Sequence, residues 1–329
     1  MKNILDFLRN AFSLVGSDPI YLVYIDALGT APIGLDGFVR ERCATVFPAS
    51  TTPFSYSLST LLPPAEHGFL EWSMRWHDKI IFPLPLRTSD GSSLKLGEDI
   101  EREEVFPFRS IFSDLVQEGY TVKYFTPYDD PLEHLMAGEA EVSSIKYLSE
   151  VFPLPSADLT VIYWDSLDYI QHHRYRDAAY SAELGRVRLF LKQLIDAVPE
   201  GATVFAFGDH GHERCDRRYL LPVVGGVQPV GGGRVAFYKD VDIGDVERAI
   251  SDSNIPARVF HLLDLPGFSG GYSRACVDRY GDVVVLADDH VGFKYPYEIA
   301  QGKTEWHVSS HGGLTDRERL VDVWTYRKE

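Results

Sequence analysis

Three runs of consecutive apolar residues stand out along the chain, and an acidic residue follows each of them. The runs and their acids are Ile20–Ile25 with Asp26, Leu159–Trp164 with Asp165, and Thr203–Phe207 with Asp209. Apolar runs without alternation are typical of strands buried on both faces of a mostly parallel sheet. Open α/β sheets bind ligands beyond the carboxyl ends of their strands. We therefore predict that these acids converge on one site.

Helical periodicity separates the predicted strands. It is clearest over residues 177–198, where apolar side chains recur at intervals of three and four. Residues 1–16 have an amphipathic pattern that predicts a short surface helix. Strands that alternate with helices predict an α/β fold, a doubly wound, mostly parallel sheet with helices on both faces.

Two segments rich in glycine or proline interrupt this alternation. Residues 73–110 are broken by prolines and are expected to be irregular, whereas residues 216–285 contain glycine clusters around a strand at 234–238 and a short helix at 246–251. We interpret both segments as cap-like insertions that cover the active site. The chain is then a single domain spanning residues 1–329.

Composition excludes several classes of protein. The formal net charge is −16 and no Lys/Arg-rich block occurs, which argues against general nucleic-acid binding. No apolar run approaches the roughly 18 residues of a membrane span, and residues 1–16 lack the apolar stretch of a signal peptide, so we expect no membrane association and a cytoplasmic location. The three cysteines predict neither a disulfide framework nor a structural zinc site. The oligomeric state stays open.

Aspartate and histidine occur together in patterns that suit metal binding. Asp168 and His172 are four residues apart, which places them on one face of a helix. Glycines flank Asp209-His210 and follow His311, and they permit tight turns that aim these side chains inward. Taken singly, each pattern also fits a solvated helix face or a plain turn. With Asp26, three aspartates and three histidines fit two ions of zinc, manganese or iron, which accept such mixed ligands better than magnesium or calcium does.

A hydroxyl-rich segment around Thr51 predicts the start of a helix. Ser50, Thr51 and Thr52 precede Pro53, an arrangement typical of a helix N-terminus. Free backbone N–H groups at that end form a natural seat for phosphate. An ordinary N-cap is the alternative interpretation.

The segment that begins at Thr51 resembles the nucleophile segment of the type I phosphodiesterases and nucleotide pyrophosphatases, which belong to the alkaline phosphatase superfamily. The residues that carry this resemblance are Thr51, Pro53, Tyr56, Ser57, Leu58, Thr60, Pro64, His67 and Gly68. The remaining motifs also occur in the order that the family uses, over nearly the whole chain: Asp26, Asp168 with His172, Asp209-His210, and His311.

The resemblance implies a role for each of these residues. Thr51 is expected to attack phosphorus and to form a covalent phosphothreonine. The expected ligands of one metal ion are Asp168, His172 and His311, and those of the other are Asp26, Thr51, Asp209 and His210. Zinc is the preferred metal, with Mn²⁺ or Fe²⁺ as alternatives, and His67 is expected to support the site from behind.

One position departs from the family pattern. Trp72 stands where animal nucleotide pyrophosphatases have an asparagine that binds a phosphoryl oxygen. We expect Thr51, Thr52 or an insertion residue to supply that donor, and Trp72 to stack on the substrate or to pack. Candidate cations for the pocket are Arg174, Arg176 and Arg234.

The resemblance implies hydrolysis of a phosphodiester or pyrophosphate bond in a small, nucleotide-like phosphoester. Phosphomonoester or phosphonate hydrolysis is the alternative within the superfamily, and phosphosugar transfer is a more distant one. From another class comes a catalytically quiet, phosphatase-like binding or scaffold protein. The complete set of ligand residues argues against that last alternative.

Overall fold

The computed structural model describes residues 2–265, 268, 271–303 and 305–329. Its strands are, in chain order, β1 (Lys2–Asn3), β2 (Ile20–Ile25), β3 (Val39–Ala44), β4 (Met74–Trp76), β5 (Lys79–Phe82), β6 (Arg87–Thr88), β7 (Val122–Thr126), β8 (Glu141–Ser144), β9 (Leu159–Trp164), β10 (Thr203–Phe207), β11 (Glu213–Arg214), β12 (Arg217–Leu220), β13 (Val230–Gly232), β14 (Val235–Tyr238), β15 (Ala257–His261), β16 (Val283–Ala287), β17 (Val291–Lys294), β18 (Ser309–Ser310) and β19 (Leu320–Arg327). Its α-helices are α1 (Ile4–Phe12), α2 (Thr51–Thr60), α3 (Pro64–His67), α4 (Arg102–Val105), α5 (Ile111–Gln117), α6 (Pro131–Ala137), α7 (Ser166–Arg174), α8 (Ala178–Ala197), α9 (Ile243–Asp252), α10 (Arg274–Tyr280), α11 (Pro296–Ala300) and α12 (Asp316–Arg319). Short 3₁₀ turns cover Leu148–Val151 and Leu262–Asp264.

An eight-stranded central sheet has the order β1-β3-β19-β10-β2-β9-β7-β8. Every neighbouring pair is parallel except the two pairs made by β19, which is antiparallel to β3 and to β10. This mixed α/β arrangement confirms the predicted fold class. The three apolar runs coincide with β2, β9 and β10, and β10-β2-β9 lie side by side at the centre of the sheet.

Helices cover both faces of the central sheet because the sheet is apolar on both. Alternate residues of β2 enter two hydrophobic clusters: Ile20, Leu22 and Tyr24 face the cluster that contains α1, α2 and α5, and the intervening residues face the cluster that contains α8. The helix predicted over residues 177–198 is α8, which begins after the capping residue Asp177 and ends before Val198. The predicted N-terminal helix is α1, and six of its nine residues are buried.

A second hydrophobic core lies outside the central sheet. The strands β13-β14-β16-β15 form an antiparallel sheet, and its buried residues share one cluster with residues of the hairpin strands β4 and β5. Residues 73–110 are therefore less irregular than expected, because the apolar run Ile80–Phe82 pairs and packs as part of β5. The strand and the helix predicted between 216 and 285 are β14 and α9.

Within the described residues, no helix combines the length and the apolar character that crossing a membrane requires. The cytoplasmic location stays a prediction. Cys43, Cys215 and Cys276 are buried free thiols.

Candidate active site

The residues predicted to form the site come together at the carboxyl edge of the central sheet. Asp26 follows β2, Asp209 and His210 follow β10, and Thr51 is the first residue of α2. Asp168 and His172 lie on α7, directly after β9, and His311 follows β18. Because β10, β2 and β9 are neighbours, their parallel ends deliver side chains from distant parts of the chain to one place.

The first group of side chains surrounds the hydroxyl of Thr51. Thr51 Oγ1 lies 3.3 Å from each carboxylate oxygen of Asp26 and 3.2 Å from His210 Nε2. His210 Nε2 is also 3.2 Å from Asp209 Oδ2 and 3.5 Å from Asp26 Oδ1. Ligand atoms of Asp26, Asp209 and His210 all lie within 4.8 Å of one another. This spacing suits a single metal ion beside the hydroxyl.

The second group centres on Asp168. Its Oδ2 lies 3.4 Å from His172 Nε2, and its Oδ1 lies 3.6 Å from His311 Nε2. A further histidine, His212, approaches closest, with Nε2 2.7 Å from Asp168 Oδ1. His210 bridges the two groups, because its ligand atom also lies within 4.8 Å of those of Asp168, His212 and His311.

Sequence reasoning did not include His212. The signal was present in Asp209-His210-Gly211-His212, where a second histidine follows the first after one glycine. A Cβ on Gly211 would lie 2.1 Å from the carbonyl oxygen of Arg317, so this close backbone approach requires glycine.

The hydrogen bonds of the histidine rings indicate the kind of ligand that the site can bind. His172 Nδ1 donates to the carbonyl oxygen of Ser309 at 3.0 Å, and His210 Nδ1 donates to that of Gly211 at 3.2 Å. Each neutral ring therefore carries a lone pair on Nε2. These lone pairs face carboxylates, which are acceptors too. Converging acceptors without donors between them fit bound cations, and mixed carboxylate and imidazole ligands suit Zn²⁺, Mn²⁺ or Fe²⁺.

The carboxylates of the site differ in their electrostatics. Burial, together with the charges of Asp209 and Asp168, raises the pKa of Asp26 well above its ordinary value. Burial alone would also raise the pKa of Asp168, but the neighbouring His172 and His212 bring that pKa well below its ordinary value. Burial lowers the pKa of His172, His212 and His311.

Hydrogen bonds from behind fix the first group. Asp209 accepts the Tyr24 hydroxyl at 2.8 Å and the backbone N–H groups of Ala27 and His210 at 3.0 Å each. Asp26 accepts the Tyr163 hydroxyl at 2.8 Å. Such outer contacts orient ligand side chains before any ion binds.

His67 lies behind α2, outside both groups. Its Nε2 is 3.1 Å from Ser57 Oγ and 3.2 Å from the carbonyl oxygen of Pro53, and its Nδ1 accepts from Phe69 N at 3.1 Å. These contacts brace the helix that begins with Thr51.

A cavity of about 570 Å³ opens over Thr51, and Thr52 and Trp72 are among the residues that line it. The Trp72 ring is 44% exposed and lies 5.7 Å from the ring of Phe82. Thr52 Oγ1 is buried and has no hydrogen-bond partner among the described residues. Much of the wall is aromatic: Trp72, Phe82, Tyr128, Tyr163, Tyr169, Phe293, Tyr295 and Tyr297.

The cations considered from the sequence are not among the residues that line this cavity. Arg234 is fully buried and pairs with Glu318, with Nε 2.9 Å from Oε1, so it holds the loop after His311 instead of reaching substrate. Arg174 lies on the surface, 3.9 Å from Asp177. Among the lysines and arginines of the described chain, Lys303 lines the cavity.

Glu71 is a buried acid in the cavity wall. Its side chain accepts the backbone N–H of Trp72 at 2.5 Å, while its second oxygen has no partner among the described residues. Gly232 and Gly312 leave room for it, since a Cβ at either position would come within 3 Å of its carboxyl oxygens. Burial raises the pKa of Glu71 to about 8.

Replacing Glu71 with glutamine should make stability less dependent on pH. The folded pKa of about 8 exceeds the ordinary value of 4.5, so the folded protein binds the proton more tightly and loses stability as the pH rises from about 4.5 to about 8. We expect Glu71→Gln to raise the free energy of unfolding by on the order of 3 kcal/mol at pH 9 and to change it little at pH 4. Urea unfolding at the two pH values measures this, with the exposed Glu103→Gln as control. Equal effects at both pH values would contradict the assignment.

The site combines two groups of Asp and His side chains with a helix-terminal hydroxyl at the carboxyl edge of a mostly parallel sheet. The sequence profile of the type I phosphodiesterase/nucleotide pyrophosphatase family matches residues 25–224. The chain belongs to this family, and it is a hydrolase of phosphoester or pyrophosphate bonds with the metal dependence expected of the superfamily. No curated protein matches the chain.

Solved structures with low sequence identity share the fold. Murine ectonucleotide pyrophosphatase/phosphodiesterase 5, in an inactive form in complex with AMP, has a TM-score of 0.68 and 16% identity, covering 93% of this chain and 87% of its own. The human form of that protein has a TM-score of 0.66 and 14% identity, and the match covers 93% of this chain and 87% of the human chain. Phosphonoacetate hydrolase from Sinorhizobium meliloti 1021, in complex with phosphonoformate, has a TM-score of 0.61 and 17% identity. The match covers 95% of this chain and 90% of the hydrolase chain.

Proposed function

We propose that this enzyme cleaves a phosphodiester or pyrophosphate bond of a small, nucleotide-like substrate, with two metal ions and a covalent phosphothreonine at Thr51. The observation that carries the proposal is the position of Thr51 Oγ1. Thr51 is the first residue of α2 and lines the cavity, and its Oγ1 lies within 3.3 Å of Asp26 and His210. A hydroxyl at such a place can meet phosphorus from the side opposite a leaving group that points toward solvent.

The two groups of side chains divide the proposed ligands. Asp168, His172 and His311 would hold one ion, and Asp26, Asp209, His210 and Thr51 would hold the other, with zinc preferred and Mn²⁺ or Fe²⁺ as alternatives. When bound, such ions lower the pKa of a coordinated hydroxyl and neutralise charge that develops on phosphoryl oxygens. The lone pairs on the histidine Nε2 atoms and the buried aspartates support this assignment.

The chain itself contributes the nucleophile and its orientation. Thr51 Oγ1 forms a bond to phosphorus while the bond from phosphorus to the leaving oxygen breaks, and the hydroxyl proton passes to an acceptor beside Thr51. Water then attacks the phosphothreonine, which restores Thr51 and releases the second product. The first-turn N–H groups of α2 have no acceptor within the helix, so those of Thr51 and Thr52 can bind a phosphoryl oxygen in place of the missing asparagine.

The cavity wall supports a substrate with an aromatic or apolar group next to phosphorus. Trp72 and Phe82 offer ring faces on which a base could stack. A phosphomonoester carries a second negative charge, which requires further cationic or hydrogen-bond donors. Among the lysines and arginines of the described chain, Lys303 lines the cavity, which favours a diester. The murine relative binds AMP, which favours a nucleotide, and phosphonate hydrolysis is the second candidate because the phosphonoacetate hydrolase fold covers 95% of this chain.

We also propose that residues 73–110 and 216–285 act as insertions that cover the site within a single domain. Phe82, Leu84 and Pro85 from the first segment and Gly231–Gly233 from the second line the cavity. Substrate selection would then depend on these segments, while the central sheet carries the chemistry.

A comparison of model substrates tests the proposed function. The zinc-reconstituted enzyme should hydrolyse bis-p-nitrophenyl phosphate with a higher kcat/KM than p-nitrophenyl phosphate, because the diester needs fewer cationic donors. Phosphonoacetate serves as the third substrate, and its turnover is measured by the release of inorganic phosphate. Faster turnover of the monoester or of phosphonoacetate would replace the diester assignment, and no turnover of any of the three would favour the scaffold alternative.

A further inference from the structure

His212 has hydrogen bonds that settle which of its nitrogens carries a proton. The ring is fully buried, and its Nδ1 lies 2.9 Å from Ser309 Oγ. Ser309 Oγ itself lies 2.6 Å from the carbonyl oxygen of Gln171, an acceptor that can only receive a proton. Since a serine hydroxyl has one proton, Ser309 donates to Gln171 and accepts from His212. The proton of a neutral His212 ring is therefore on Nδ1.

The other nitrogen, Nε2, then presents a lone pair to the centre of the second group. It lies 2.7 Å from Asp168 Oδ1, and a lone pair and a carboxylate oxygen repel each other at that distance unless a positive charge lies beside both. His212 is packed among the rings of His172, His210 and His311, at centroid distances of 4.7, 5.7 and 5.1 Å. A cation bound between these side chains would supply that charge.

We propose that His212 is a fourth protein ligand of the metal ion held by Asp168, His172 and His311, an inference that rests on the proposed two-metal site. Its Nε2 belongs to the same cluster of ligand atoms as those of Asp168, His210 and His311. The two histidines on either side of Gly211 face different groups: His210 Nε2 lies 3.2 Å from Thr51 Oγ1, and His212 Nε2 lies 2.7 Å from Asp168 Oδ1.

Four protein ligands change the character of that ion. Zinc sites with three protein ligands keep an open position for water or substrate, whereas four ligands fill a tetrahedral shell. The ion beside Thr51 would have three carboxylate or imidazole ligands and a hydroxyl, which is a weaker ligand. The ion at Asp168 would therefore be held more tightly and would bind substrate only by expanding its shell. A chelator should remove the two ions in separate steps, the Thr51 ion first.

Two substitutions at His212 distinguish between two roles for this residue: binding the metal ion directly, or only orienting Asp168. His212→Asn keeps a donor near the place of Nδ1, and therefore the bond to Ser309, but does not reach the place of Nε2. His212→Gln places a carbonyl oxygen near the place of Nε2. His134→Asn is the matched control, because His134 lies on the surface and pairs with Asp129.

Zinc affinity, measured by competition with a chromophoric chelator, is the readout, and it is independent of turnover. Loss of an outer contact weakens metal binding by about 10- to 100-fold. We expect His212→Asn to weaken the tighter of the two binding steps by more than about 100-fold, His212→Gln to recover part of the loss, and the control to match wild type. A loss below about 100-fold in the asparagine variant would overturn the proposal.

Anomalous diffraction from wild-type crystals grown with zinc keeps the test decisive if a variant fails to fold. We expect a zinc ion about 2.0–2.1 Å from His212 Nε2, and a separation beyond about 3 Å would overturn the assignment. Two bound ions with His212 among the ligands, but no hydrolysis of any phosphoester, would remove the proposed function and leave this inference intact. If the enzyme is active and the His212→Asn variant has unchanged zinc affinity, the inference about His212 is wrong and the proposed function stands.

Discussion

Replacing Thr51 with alanine should lower kcat by at least about 10⁴-fold on bis-p-nitrophenyl phosphate, because removal of a covalent nucleophile costs that much or more. Thr51 Oγ1 is the hydroxyl that lies within 3.3 Å of Asp26 and His210. Acid quench of the wild-type reaction, followed by mass spectrometry of the peptide that contains Thr51, should reveal a phosphorylated threonine that the variant lacks.

Two further substitutions serve as controls for the Thr51 variant. Thr60, the last residue of α2, donates its hydroxyl to the carbonyl oxygen of Tyr56 at 2.7 Å, outside the cavity. Thr60→Ala should therefore keep wild-type kcat and lose about 1 kcal/mol of stability. Ser50→Ala tests the neighbouring hydroxyl. If Thr51→Ala retains wild-type activity, or if Ser50→Ala alone abolishes the phosphorylated peptide, Thr51 is not the nucleophile.

The second large effect concerns Asp168, the carboxylate on which three histidine Nε2 atoms converge. Asp168→Asn removes the charge that balances a cation at this place while it keeps the size of the side chain. Loss of a side chain that only orients a metal ligand lowers metal affinity or activity by about 10- to 100-fold. Loss of a direct ligand should cost more, so we expect a decrease of more than about 100-fold both in zinc affinity at one site and in kcat/KM. Metal analysis after dialysis should find one ion per chain instead of two.

Asp165 offers a matched control for that variant. It lies three residues earlier, lines the same cavity and accepts the hydroxyl of Tyr128, but it belongs to neither group of candidate ligands. Asp165→Asn should retain both ions and most of the activity. If both variants lose metal to the same extent, the loss reflects the general negative charge of the cavity and not coordination by Asp168.

The sequence was sufficient to predict the framework of the site. Strands β2, β9 and β10 are unbroken apolar runs, and a parallel sheet leaves few places for the residues that follow them. The structure brings Asp26, Asp168 and Asp209 to one edge of this sheet, and their roles as ligands stay a prediction. The helix that starts at Thr51 was recognisable from its hydroxyl and proline residues.

Features that depend on tertiary packing were beyond the sequence. Arg234 was a candidate for the pocket because of its charge, but its salt bridge to Glu318 forms between segments that are distant along the chain. The hairpin formed by β4 and β5 lies in a segment whose prolines suggested irregular structure, and its apolar residues gain their partners only in the second core. The orientation of His212 also depends on tertiary packing, because its partner Ser309 comes from a distant part of the chain.

The antiparallel strand β19 also bears on how the protein is made. It separates β3 from β10, and β3 has β1 as its other neighbour in the sheet. Ribosomes add about 5–20 residues per second, so β3 waits tens of seconds for the strand on which it will pair. Until residues 320–327 emerge, β3 and β10 each present an open edge to chaperones and to other nascent chains. The central sheet is therefore completed only after the segments between β3 and β19 have been synthesised.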